Sequence, residues 1–199
     1  MSRGINPYSQ KKVALAVIAG LLLTGCDLFR TRATEPPLDS GSPWIYPTQI
    51  EQVFLNMRQA MAELNAEHYL RCFFTPDDPG KTFIFIPNPN SLGWPLATPW
   101  GYSEEQKTIQ YLFTLLQPGS IPYLTLDEES RSIYGNNDSA RVTQIYTLNV
   151  PVSDPTIPTE VSGRADFILA KNSTGYWAIY RWEDLEGNPS WTDIKAGLF

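Results

Sequence analysis

Histidine is nearly missing from this chain: His68 is the single one among 199 residues. Cysteine is almost as scarce, with Cys26 and Cys72 alone. Ions such as zinc are held by clusters of His, Cys and acidic side chains at short spacings, so this inventory offers no metal site. Asp77-Asp78 and Asp127-Glu128-Glu129 lack the alternating acids and glycine of a calcium loop and read as solvated turns. Positive charge is also short, with 15 Lys and Arg against 21 Asp and Glu. Three of those basic residues, and none of the acids, precede Cys26, so the chain from there onward carries a net charge of -9. That balance argues against a nucleic-acid partner and against a polybasic grip on anionic lipid. There is no Gly-rich phosphate loop and no G-x-S-x-G nucleophile turn. No cofactor is implied.

Long apolar runs are missing too, except for one over residues 13–23. A membrane span needs about 20 apolar residues, and this run is roughly half that. It follows Arg3, Lys11 and Lys12 and ends in Thr24-Gly25-Cys26. A basic start, a short apolar stretch and small residues before a cut site describe a secretory signal. Leu23-Thr24-Gly25-Cys26 resembles the lipobox of bacterial lipoproteins. The resemblance implies cleavage before Cys26 and attachment of a diacylglycerol, with acyl chains such as palmitate, to its thiol. Two lipid chains give stable anchoring. It also implies a place in the bacterial cell envelope, lipid-anchored, with the protein facing the periplasm or exterior. In some such proteins an acid after the cysteine, as Asp27 is here, implies inner-membrane retention. Cys72, among Tyr69, Leu70, Phe73 and Phe74, then has no disulfide partner and reads as a small buried hydrophobe.

The expected organisation is a signal at 1–25, a lipidated cysteine and flexible tether at 26–43, and one domain at 44–199. Residues 27–43 hold almost nothing apolar to offset the entropy of ordering. In the domain, Ile50, Val53, Phe54, Met57, Met61 and Leu64 recur at helical spacing, and Thr48 with Glu51 fits a capping box. A short helix is expected near 67–73, a strand over 82–86, and a loop over 88–102 holding Trp94, Trp100 and Tyr102. A third helix opens at Ser103 with a capping box to Gln106, carries Ile109, Leu112, Phe113 and Leu116 on one side, and stops at Pro118-Gly119. Strands are expected near 121–128, 139–150, 161–171 and 175–184, with turns at 136–138 and 172–175. Helices on one face of an antiparallel sheet make an α+β class.

Gly175-Tyr176-Trp177-Ala178-Ile179-Tyr180-Arg181-Trp182-Glu183-Asp184 resembles the closing strand of NTF2-like (SnoaL-like) proteins. Glu67 to Leu70, Thr82 to Ile86 and the late Trp191-Thr192-Asp193-Ile194-Lys195 are similar to other parts of that family. The resemblance implies a cone: a strongly bent antiparallel sheet wrapped around a long N-terminal helix, with two further helices and a hollow at the wide end. Family members use the hollow to isomerise or dehydrate small molecules, to bind them, or only to pack and dimerise. Shape does not fix chemistry.

Two functions are therefore open. One is a small-ligand-binding or protein-interaction domain. The other is an isomerase or dehydratase, with Asp166 as base and Tyr146 or Tyr111 as donor, in a pocket formed by Phe85, Tyr111, Arg164, Asp166 and Trp177. Such an enzyme pairs a buried carboxylate with a hydrogen-bond donor. His68 is the residue that titrates near neutrality, but its place at a helix start also suits a solvent-facing or capping role. Arg141, Arg164, Asp166 and Arg181 belong to neighbouring strands. They form either ion pairs on an outer sheet face or a polar pocket around Asp166. Trp44, Trp94, Trp100, Tyr102, Tyr111, Tyr176, Tyr180, Trp182 and Trp191 exceed what one small core holds, which suggests a ligand mouth or a homodimer through the sheet. A carboxylate and a donor converging in a hollow of several hundred Å3 would favour the enzyme. A hollow filled by Trp177, Phe85 and Leu112 would favour the first reading.

Overall fold

The computed structural model describes residues 42–91 and 100–198. Cys26, the signal, most of the tether and Trp94 lie outside the described residues. In order come α1 (Ile50–Ala62), α2 (Ala66–Leu70), β1 (Ile84–Ile86), β2 (Trp100–Gly101), α3 (Tyr102–Leu115), β3 (Tyr123–Tyr134), β4 (Ser139–Asn149), β5 (Glu160–Lys171), β6 (Trp177–Gly187) and α4 (Trp191–Gly197). The strands form one six-stranded sheet in the order β2-β1-β6-β5-β4-β3.

The sheet is mixed, which corrects the expectation of a purely antiparallel one. β1 runs parallel to β6, pairing Phe85 with Trp182. The chain between β1 and β6 carries β2, α3 and β3 to β5, a connection long enough for the two strands to run parallel, which a hairpin cannot do. The other pairs are antiparallel. Three irregularities interrupt the ladders: Glu129 is the extra residue of β3, and Tyr180 and Leu185 are the extra residues of β6. Each bulge bends its strand and adds twist.

The bulge at Tyr180 also resets which residues face inward. Strict alternation would put Trp182 on the face opposite Trp177 and Ile179. With Tyr180 as the extra residue, Trp182 turns inward beside Phe167 and is fully buried. Trp100 and Trp191 are buried as well. The aromatic surplus used to argue for a ligand mouth or a dimer is thus smaller by three tryptophans.

Helix α1 lays Ile50, Val53, Phe54, Met57, Ala60 and Met61 on the inner face of the sheet. Its start is one residue later than the Thr48–Glu51 box implies: Gln49 is the N-cap, and Gln52 accepts from its backbone N–H at 2.9 Å. Helix α3, by contrast, starts earlier than expected, with Gly101 as N-cap donating to Glu104 at 3.0 Å. The segment before α1 belongs to the domain from residue 42. Ser42 N–H donates to Glu63, and Ile45 exchanges two hydrogen bonds with the buried Asn56. Trp44 packs on His68 at a ring separation of 5.5 Å. Strand β3 runs on to Tyr134, and the turn after it places Gly135, Asn136 and Asn137 at positive φ, where glycine and asparagine are tolerated.

Candidate functional site

Among the described residues, two places have the character of a site: the interior between helices and sheet, and an open groove on the rim. The interior is built around Glu105. This residue enters in the first turn of α3, at the spacing of Ile109 and Leu112, so it shares their apolar face. Its carboxylate accepts from Tyr69 Oη at 2.7 Å and from Trp100 Nε1 at 2.7 Å, and it is ion-paired with Lys195 of α4. Both charged side chains are essentially inaccessible, at 2% for Lys195 and 1% for Glu105. The Lys195 ammonium lies 4.6 Å from the Phe85 ring centre, 4.6 Å from that of Trp182 and 5.0 Å from that of Trp100. Ring faces attract a desolvated cation, each by about 2 kcal/mol or more. Burial pushes the Lys195 pKa down, against the pull of Glu105, and burial with Glu105 beside it pushes the Tyr69 hydroxyl up.

The free space beside this cluster is about 10 Å3, bounded by residues that include Met61, Thr108, Leu112 and Leu198. A space of that size holds one water at most.

A second buried network lies next to it. Asp184, inward-facing on β6, accepts from Tyr146 Oη at 2.8 Å and from the backbone N–H and hydroxyl of Thr192 at 2.8 and 2.5 Å. Tyr146 Oη in turn accepts from the Trp191 N–H at 2.9 Å. The carboxylate and phenol thus satisfy the first N–H groups of α4, which a helix start leaves without partners. Burial raises the Asp184 pKa, against the lowering by Thr192 and Tyr146. It also raises that of Tyr146.

The residues proposed from sequence do not assemble into one pocket. Phe85 faces the interior and forms part of the cage around Lys195, and Tyr146 faces the interior against Asp184. Trp177 is buried near the β5–β6 turn, with Lys171 5.5 Å from its ring centre. Tyr111 is half exposed on α3. Asp166 and Arg164 are on the outer sheet face, because Asp166 pairs with Thr143 and Glu183 across neighbouring strands and every second residue of β5 points away from the helices. There Asp166 accepts from Arg141 Nε at 2.8 Å and from Thr143 at 2.6 Å. The outer-face ion-pair arrangement is the one present. Arg181 pairs with Glu183, and Arg164 with Glu186 and Glu129. Asp166 and Tyr146 are on opposite faces and do not meet. His68 donates its backbone N–H to the Asn65 cap, while its ring lies against Trp44. Buried Cys72 carries a thiol whose pKa is pushed far up by desolvation.

Sequence reasoning missed Glu105, Asp184 and Lys195. A signal was present for two of them. Glu105 occupies an apolar-face position of α3, and Lys195 stands four residues after Trp191 and next to Ile194 in α4.

The rim groove has a volume of about 730 Å3. Its floor is the paired Gly163 of β5 and Gly187 of β6. A Cβ at Gly163 would lie 2.0 Å from the Glu186 carbonyl oxygen, and one at Gly187 2.5 Å from that of Ser162. Only glycine fits this close approach. Ser162, Glu186, Asn188, Asn90 and Asp193 make the walls.

No protein-family model and no curated protein sequence matches the chain. Solved structures do resemble it. A conserved protein from Planctomyces limnophilus is 17% identical, with a TM-score of 0.53 over 68% of this chain and 91% of that one. A putative dehydratase from the NTF2-like family from Streptomyces avermitilis is 14% identical, with a TM-score of 0.49 over 68% and 91%. A ketosteroid isomerase-like protein from Erwinia carotovora atroseptica is 15% identical, with a TM-score of 0.46 over 67% and 90%. The domain is an α+β domain with helices on one face of a mixed, open six-stranded sheet, a fold it shares with the Planctomyces protein. At these identities the likeness is one of fold, which leaves the chemistry to the residues.

Proposed function

We propose that the chain is an envelope lipoprotein, anchored through acylated Cys26, whose NTF2-like domain binds at its rim rather than catalysing in its interior. The observation that carries this reading is the contrast in space. The interior carboxylate and its donors converge, as an isomerase would need, but they are satisfied by one another around about 10 Å3. A small-molecule site usually has about 300–1,000 Å3, and the rim groove alone of the two falls in that range.

Two measurements test this. The intact mass of the native full chain from membranes is expected to show a lipid-modified Cys26 as the first residue; a retained Met1 or a bare Cys26 would overturn the anchor. Brief acetylation of the full chain followed by peptide mass analysis reads the interior. Lys195 is expected to stay unlabelled while the exposed Lys107 reacts. Equal labelling of both would mean an open interior and would return the enzymatic reading to the front.

A further inference from the structure

We infer that the rim groove is a site for a neutral, hydroxyl-rich ligand of the saccharide class. This rests on the reading of the groove as the binding surface. The other features lead elsewhere. The Glu105 and Asp184 networks are closed on themselves, and the outer-face charges are paired, Arg141 with Asp166 across strands and Arg181 with Glu183 along β6.

The chemistry of the groove narrows its ligand by elimination. Besides the two glycines, the side chains that line it among the described residues are two amides, a hydroxyl and two carboxylates, so its apolar surface comes from backbone and side-chain carbons and not from any apolar side chain. An apolar ligand would leave these polar groups without water or partners, which is costly. An anion would meet Glu186 and Asp193. A cation would have to compete for carboxylates already engaged: Asp193 accepts from Ser91 and from the Ser190 N–H at 2.7 Å, and Glu186 faces Arg164 Nε at 3.3 Å. What remains favourable is a ligand that both donates and accepts without net charge. Asn90, Asn188 and Ser162 each do both, and neighbouring ring hydroxyls present the same alternation. The Gly163–Gly187 floor is close-packed backbone: a Cβ at Gly163 would meet the Glu186 carbonyl and the Tyr146 phenol, and one at Gly187 the Ser162 carbonyl and Ser190, so the groove is shaped by its polar walls.

The test uses the purified full chain in detergent and saturation-transfer NMR. The probes are maltose and N-acetylglucosamine, with spermidine and inorganic phosphate as charged probes. Transfer to the sugar ring protons is expected. It should weaken about tenfold or more in S162W, which fills the groove from an exposed position, and about threefold in E186Q. It should be unchanged in Y111A, on the exposed side of α3. Thermal midpoints matching the parent's establish that S162W and E186Q are folded. Absence of sugar transfer, or transfer that survives S162W, overturns the inference. Should spermidine or phosphate bind instead and be lost in S162W, the saccharide class falls while the groove stands as the binding surface. Should no probe bind in an S162W-sensitive way, the groove itself loses its support. The Cys26 mass is independent of all these outcomes.

Discussion

The Glu105–Lys195 pair and the Arg141–Asp166 pair lie on opposite faces of one sheet and differ in almost everything except charge. The first joins residues 90 apart in sequence, with both groups sealed from water. The second joins neighbouring strands, and pairs a buried aspartate with an arginine that is 54% exposed. In the interior the desolvation of two ions is offset by mutual attraction, three aromatic rings, and the donors Tyr69 and Trp100. Such a pair adds little net stability, yet removing one partner leaves a buried charge uncompensated. In the outer-face pair only the arginine is open to solvent, so water can reach the side of the buried Asp166 that a lost Arg141 would vacate. The contrast teaches that, among the described residues, the interior beside the helices is occupied by the protein's own polar groups, while the rim groove and Arg141 on the outer face are open to solvent.

The largest effect is expected from Lys195→Met, about 3–5 kcal/mol of lost stability by chemical denaturation, because Glu105 stays buried without its cation. The double variant with Glu105→Gln should be about 1–3 kcal/mol better than the sum of the two single losses. Strict additivity would show that the two groups do not act as a pair. Next comes Asp184→Asn, about 1–3 kcal/mol, since the amide turns a donor toward one of the hydroxyls or N–H groups that the carboxylate accepts from. It should also change the acid limb of the stability profile. The folded Asp184 holds its proton above its ordinary 3.8, so its contribution is fully present below that value and declines as pH rises through the folded pKa. The advantage of wild type over D184N should therefore shrink as pH climbs through that window. A constant gap from pH 3 to pH 7 would contradict the assignment. Arg141→Ala should cost less, about 1–2 kcal/mol, because the buried Asp166 keeps Thr143 and water reaches the side that the exposed arginine vacates. A loss as large as that of K195M would erase the comparison. Ser162→Trp, from an exposed position in the rim groove, should shift stability by about 0.5 kcal/mol or less.

Much of the frame was legible in the residues. The helical spacing from Ile50 to Met61, the strands of the C-terminal half and the turn at 136–138 all follow from local periodicity and turn chemistry. Phase within β6 was not legible. The bulge at Tyr180 comes from pairing with β5, and nothing local to Tyr180-Arg181-Trp182 announces it. The parallel alignment of β1 was hidden for the same reason, since direction depends on the path taken around the sheet. Glu105 and Lys195 fall between these cases. Each violates the apolar pattern of its own helix, and that is visible, but an acid on an apolar face has no stated partner until the two helices are packed.

By itself, the sequence determined the α+β class, the element order and the acidic character. These depend on spacings of a few residues, where propensity and periodicity act. Only the tertiary structure decided that Asp166 faces out, that Tyr146 answers to Asp184, and that Glu105 and Lys195 close the interior. Those outcomes depend on which strand face and which helix end meet after long stretches of intervening chain. The balance between a buried charge and its partner exists only once both have left water.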